Sequence, residues 1–492
     1  MKPLDPVRVT DKKQPSGLYV LFGAEIWERF GFYFVQSIMV LYLTAQLSLS
    51  DSEADNLYSA FTAALYAAPV LGGLLADSTL GFRRAIILGS TLYTIGYFLT
   101  IIHGAYGFYL ALSLLVCGNG YFKANVSSLL GTLYTMQDPR RDSGFTLFYF
   151  GINIGSFLGP IAASIITVRF GYQYGFAVCG IGMLIGLAIF LWGKKKLGTH
   201  GIYPGEQMIK KGKPVQHKNK FYVYFGTLLF ALGLSIALSH LHFIRTLIAF
   251  FCFACVIYLL YIVLKLPDRQ ARLKIVALLI LFIFSILFWA FYMQLYTSVT
   301  LFTDRDVNRV LFGVKLPTSL FQSIIPVFVM LLSPFAAKLW LHLGKSYWNP
   351  SFGMKFCLGH VFQGICFLTL VLGMICHNEN NQVSMIWLVI SGFFRVVGEL
   401  ALSPIGLSAV TRLSPLRLTG MMMGLWFLTL AAGSLLGGYF AQFAAIPTGM
   451  TSPVAKLYVY SQAFTHYALL SFAAAAVLFL LTPLVKRLSG EH

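Results

Sequence analysis

Apolar stretches long enough to cross a bilayer recur about fourteen times in this chain, at 18–44, 56–77, 83–102, 105–133, 143–167, 173–193, 221–239, 246–265, 275–301, 318–343, 354–376, 384–410, 419–444 and 461–485. A membrane helix needs roughly 20 apolar residues, so this pattern dictates an all-α membrane protein. Composition agrees: 11% of residues are charged, against about 25% in soluble domains.

The net charge of +19 would suggest nucleic acid in a soluble protein. Here topology accounts for it. With the N-terminus placed in the cytoplasm, most Lys and Arg fall in cytoplasmic loops, as the positive-inside rule expects. The largest block, Lys194, Lys195, Lys196, Lys210, Lys211, Lys213, Lys218 and Lys220, separates spans six and seven. Both termini are thus expected in the cytoplasm of a multi-pass cell-membrane protein, with the lipid bilayer and not nucleic acid as its partner. Residues Met1 to Ser16 read as a cytoplasmic tail because no short apolar core precedes a cleavage site. Seven cysteines, mostly within spans, fit packing better than a disulfide framework or a metal site.

Charge inside the spans carries the functional signal. Glu25, Glu28 and Arg29 occupy one apolar segment at i, i+3 and i+4, on one helical face. Lys123 lies in the fourth span, and Arg395 and Glu399 in the twelfth. Each such charge costs roughly 2.5–3.5 kcal/mol on insertion scales. Three acids against three bases allow mutual neutralisation. Structural fastening is the plainer reading, but buried ion pairs often lose to apolar packing, so a proton-handling cluster is the stronger expectation. Gly118-Asn119-Gly120 and Pro404 mark expected bends beside these charges. His360 and His466 read as packed or hydrogen-bonded residues. No nucleophile–base pair, metal-ligand cluster or nucleotide loop stands out, so neither an enzyme nor a cofactor is expected, protons aside.

The spans divide six, two and six. The middle pair shows no charge within its expected limits and is flanked by basic stretches. The division expected is an N-terminal six-helix bundle at 1–197, a linker and inserted hairpin at 198–272, and a C-terminal six-helix bundle at 273–492. Two bundles about a midplane site make a major facilitator fold. The segment Gly72 to Arg84 supports this, with Asp77 expected to pair with an arginine or cap a helix.

With these residues in view, the chain resembles the proton-dependent oligopeptide transporter family. Glu25-x-x-Glu28-Arg29-Phe30-x-Phe32-Tyr33 matches its first-helix motif, and Gly118 to Ser127 its lysine-bearing fourth helix. Phe145 to Ser156 is similar to the fifth-helix signature. Phe288-Trp289, Phe321-Gln322, Gly398-Glu399-x-x-x-Ser403-Pro404 and Met422 to Phe427 match the second half. The resemblance implies proton coupling by Glu25, Glu28, Arg29 and Lys123. It also implies that Glu399 and Asn153 receive a peptide amino terminus, that Lys123 attracts its carboxylate, and that Tyr33 and Tyr66 line the pocket, with Ser403 and Trp426 among the matched positions.

Three departures concern the substrate end. Gln36 stands in place of an arginine and Met293 in place of a glutamate, a matched removal of a salt bridge; Ile325 replaces an asparagine. Losing one partner of such a pair would cost about 3–5 kcal/mol, whereas losing both can be nearly neutral. Arg395 is expected to replace the missing cation in part, or else simply to pair with Glu399. The function implied is proton-coupled import of di- and tripeptides by alternating access, by a protein acting as a monomer. Two alternatives stay open: another amino-acid-like or anionic cargo, and a substrate-sensing receptor with weak transport.

Overall fold

The computed structural model describes residues 13–102, 105–135, 138, 140–203, 220–343, 349–415 and 418–491. Lys210, Lys211, Lys213 and Lys218 of the basic block lie outside them. Fourteen long helices fill the described chain: α1 Ser16–Ala45, α2 Asp51–Leu75, α3 Phe82–Leu99, α4 Ala105–Thr132, α5 Arg141–Phe170, α6 Tyr172–Gly193, α7 Lys220–Ser239, α8 Leu241–Lys265, α9 Arg269–Tyr292, α10 Ile324–Leu343, α11 Phe352–Ile375, α12 Ile386–Leu413, α13 Thr419–Ala441 and α14 Pro453–Ser489. By length and composition, 11 helical stretches among the described residues could cross a membrane; α1, α3 and α4 are long but fall outside that set.

Local chemistry sets several boundaries. Ser50 and Glu53 form a capping box at the start of α2: the Ser50 amide donates to Glu53 Oε2 at 2.9 Å, and the Glu53 amide to Ser50 Oγ at 3.3 Å. Asp268 caps α9, and Ser452 caps α14 ahead of Pro453. Helix α14 stops where Gly490 turns left-handed, at φ 74°. Beyond Tyr292, α9 tightens into a 3₁₀ turn, Met293–Tyr296, before the short helix Ser298–Asp306. Two small strand pairs follow from this region. β1 Val307–Asn308 runs parallel to β4 Val383–Ser384, with Val307 opposite Val383. β2 Val310–Leu311 pairs antiparallel with β3 Val314–Lys315 through Phe312 and Gly313, both at positive φ.

Several expectations change. The glycines near Lys123 leave α4 unbroken as a helix and permit close helix contact. A Cβ on Gly118 would sit 3.0 Å from the Gly89 carbonyl oxygen of α3. Asp77 is exposed in a π turn, Ala76–Leu80, while Arg83 donates from Nη2 to the Gly198 carbonyl at 2.6 Å. Helix α8 begins before residue 246 and includes Arg245, only 8% exposed, so the inserted hairpin does carry a buried charge.

By contacts, the chain groups into two compact units. One compact unit comprises the chain up to Tyr33, Ala68–Gly159 and Phe176–Gly233; the other holds Phe34–Ala67, Pro160–Gly175 and Leu234–His492. The cut passes through α1 and α2 because their ends pack on later helices. A Cβ on Gly438 of α13, for example, would lie 2.6 Å from the Ser59 hydroxyl oxygen of α2. The core of the second unit is aromatic: Phe291 stacks on Phe440 at 4.9 Å, and Phe302, Phe367, Tyr460, Phe464 and Tyr467 surround it.

Candidate functional site

In the first unit, α1 and α4 bring four charges together. Lys123 Nζ lies 2.9 Å from Glu25 Oε1, and Arg29 Nε lies 3.7 Å from the same oxygen. Arg29 also meets both oxygens of Glu28 in a bidentate pair. Glu25 and Glu28 are fully buried, whereas the Lys123 side chain is 31% exposed. The Arg29 guanidinium sits 4.3 Å from the Phe32 ring centroid, shielding it further. Support comes from α5, where a Cβ on Gly155 would lie 2.7 Å from Arg29 Cβ and 2.6 Å from the Ile26 carbonyl oxygen.

Two details make this more than a static ion pair. Glu25 Oε2 is buried and has no hydrogen-bond partner, leaving one oxygen able to take a proton. Tyr93 Oη of α3 lies 2.9 Å from both Glu28 Oε1 and Asn119 Oδ1. A phenol has one proton to donate. It can therefore serve Glu28 when that group is charged and Asn119 when it is not.

In the second unit, Glu399 accepts from the Tyr292 hydroxyl at 3.0 Å. Arg395, 1% exposed, gives Nη1 to the Tyr292 carbonyl at 2.7 Å and lies over the Tyr292 and Phe367 rings. Because α9 ends at Tyr292, Arg395 acts as the cation at a helix C-terminus. The hydrogen bond it makes is to that carbonyl, while it stands close enough to Glu399 to act on that carboxylate electrostatically. Arg395 also lines a cavity of about 30 Å³ with Thr300, Gln322, Ile325 and Ser391. That is room for a water or two.

The remaining candidates are placed as follows. Gln36 is 3% exposed; its Oε1 accepts from the Tyr58 hydroxyl and its Nε2 is unpartnered. Tyr58 in turn stacks on Tyr296 at 6.2 Å, and Met293 is 4% exposed in the 3₁₀ turn. A neutral chain, Gln36–Tyr58–Tyr296, thus stands at Gln36, one of the two positions of the missing salt bridge. Asn153 donates to the Tyr149 carbonyl of its own helix at 2.9 Å. Tyr33, Tyr66 and Ser403 are half-buried, and Trp426 is buried against Phe282 and Gly406. His360 is fully buried, with Nε2 on the Phe284 carbonyl at 3.0 Å; His466 lies beside Phe443.

One polar cluster was missed from sequence. Arg305 binds both oxygens of Asp51, at 2.6 and 2.7 Å, and Asp51 Oδ2 also accepts the Ile446 amide at 3.1 Å. The start of α2 is so joined to the helix after α9 and to the α13–α14 connection. Charges at span ends are commonplace, which is why neither residue stood out.

Long apolar helices and a buried acid–base cluster fit a membrane transporter, and comparison with known proteins makes it one of the major facilitator type and not an enzyme. The chain belongs to the POT family, whose model matches residues 83–457. It is 33% identical to the dipeptide and tripeptide permease A of Salmonella typhimurium over 492 residues, covering 100% of this chain and 96% of the relative. The protein of that name from Erwinia pyrifoliae is 35% identical over 482 residues, covering 98% and 96%. Among solved structures, a peptide transporter POT in complex with sulfate matches with TM-score 0.83 and 30% identity, over 96% of both chains.

Proposed function

We propose that this protein imports di- and tripeptides with protons by alternating access, as a monomer in the cell membrane with both termini cytoplasmic. The observation that carries the reading is the buried Glu25–Arg29–Glu28–Lys123 cluster, with one acid oxygen unpartnered and Lys123 still partly exposed. Protonation of Glu25 or Glu28 releases the hold on Lys123 or Arg29. A freed, partly exposed Lys123 then attracts the peptide carboxylate. Glu399, which has a phenol and no cation for a hydrogen-bond partner, receives the ammonium end. Asn153, Tyr33, Tyr66, Ser403 and Trp426 complete the set of residues assigned to peptide contact. Ile325 and Met293 make that set more apolar, and Arg395 supplies part of the missing positive field.

In this reading the α1–α2 loop lies outside the cell. The Asp51–Arg305 pair then serves as the external lock, with the neutral Gln36–Tyr58–Tyr296 chain beside it. A partly buried bidentate pair exchanges its partner for water when that end opens, so its cost can be offset at each turn of the cycle.

Dipeptide uptake into proteoliposomes under an imposed inward proton gradient tests the proposal. The wild-type protein should accumulate peptide above equilibrium, and Glu28→Gln should only exchange it. No uptake or exchange of any di- or tripeptide by the wild-type protein would overturn the peptide reading.

A further inference from the structure

The inserted hairpin, α7 and α8, reaches into the same end of the second unit that holds the Asp51–Arg305 pair. Arg245 lies one turn into α8, 8% exposed. Its Nη1 donates to Asn56 Oδ1 of α2 at 2.5 Å, and its guanidinium carbon stands 3.7 Å from the Tyr439 ring centroid of α13. Asn56 Oδ1 also accepts Gln442 Nε2 at 3.1 Å. One carbonyl oxygen of α2 is therefore held by two donors, one from the hairpin and one from just beyond α13.

The electrostatics are unusual. A buried guanidinium normally meets a carboxylate, yet Arg245 faces an amide oxygen and an aromatic face. Its Nε and Nη2 are buried with no partner. Lipid packing alone does not explain this arrangement, because a long apolar side chain would cover the same surface without a stranded charge. Contact with Asn56 does explain it. An ion–dipole bond is strong enough to hold α2 and weak enough to release it, since the unpartnered N–H groups gain water when the helices part.

We infer that Arg245 is a positioning residue through which the inserted hairpin holds the α1–α2 end of the protein closed. The hairpin is then a working part of the transport cycle, which makes the inference rest on the transporter reading only for its consequence.

Hydrogen exchange of the full chain in lipid nanodiscs tests it without any substrate, so failure of the peptide reading would leave the result interpretable. Arg245→Gln should speed exchange across residues 46–60 about threefold, while residues 20–33 stay unchanged and Arg245→Lys recovers most of the protection. Asn56→Asp turns the contact into an ion pair and should slow exchange across 46–60 about threefold. That slowing should vanish when Asn56→Asp is combined with Arg245→Gln. An effect of Asn56→Asp that is the same with and without Arg245 would overturn the inference, as would unchanged exchange across 46–60 in Arg245→Gln.

Discussion

The four charges of the α1–α4 cluster and the two of α12, Arg395 and Glu399, solve the burial problem in opposite ways. Glu25, Glu28, Arg29 and Lys123 neutralise one another through direct ion pairs. Glu399 has a phenol, and Arg395 has a carbonyl and two rings. A closed set of pairs can store a proton by rearranging, because removing one negative charge frees one positive charge. An acid whose hydrogen-bond partner is a phenol keeps its charge unpaired by a direct bond, which is the arrangement the proposed role of Glu399 in receiving an ammonium needs. If the first site couples and the second recognises, as proposed, the two tasks call for different electrostatics: internal balance for coupling, imbalance for recognition.

Breaking the balanced side should have the largest effect. Lys123→Ala leaves Glu25 with only the 3.7 Å Arg29 contact and is expected to lower peptide uptake at least 100-fold, read as initial rates under a proton gradient. The arithmetic is that of about 3–5 kcal/mol for stripping one partner from a buried pair, discounted because the Lys123 side chain is 31% exposed. Next comes the unbalanced side. Glu399→Gln should weaken binding of peptides with a free amino terminus about 10- to 50-fold, while N-acetylated peptides bind equally poorly to both proteins. Competition binding separates the two; equal loss for both ligand classes would dissolve the contrast between the two sites.

How much of this was legible in the sequence follows from where the information sits. Glu25, Glu28, Arg29 and Lys123 announced themselves because charge is rare within apolar spans; helical spacing groups the first three, and the family resemblance adds Lys123. The fourteen helices were legible for the same reason, since length and apolarity are local properties. Tyr93 was not. With 26 tyrosines in the chain, nothing local distinguishes the one that bridges Glu28 and Asn119. Arg245 falls outside the apolar pattern, which starts clearly only after it, and its partner Asn56 is 189 residues away in the chain. Arg395 was visible as a buried charge, but its partner is a backbone carbonyl freed by the end of α9, which side-chain patterns do not reveal. The division into compact units was equally hidden, because it depends on which helix ends touch.

Smaller perturbations sharpen the contrast further. Arg395→Ala should reduce affinity for carboxylate-bearing peptides about 5-fold more than for their amidated forms if its positive field reaches the ligand. Equal reduction would confine Arg395 to holding the end of α9. Gly155→Ala pushes a methyl group against Arg29 and the Ile26 carbonyl, and should lower thermal stability in detergent by about 1–3 kcal/mol, with less effect on Glu399-dependent recognition than on coupling. Tyr93→Phe removes the shared proton while keeping the stacked ring beside Tyr97. It should shift the pH dependence of uptake and alter its maximal rate by only a few-fold.

In the proposed cycle the balanced cluster of α1 and α4 carries the proton. The most direct test is proton entry itself, followed with a pH-sensitive dye sealed inside proteoliposomes while dipeptide is added outside. The wild-type protein should acidify the lumen in step with peptide entry. Glu28→Gln should show no peptide-induced acidification while still exchanging labelled peptide. Acidification by Glu28→Gln at the wild-type rate would contradict the account.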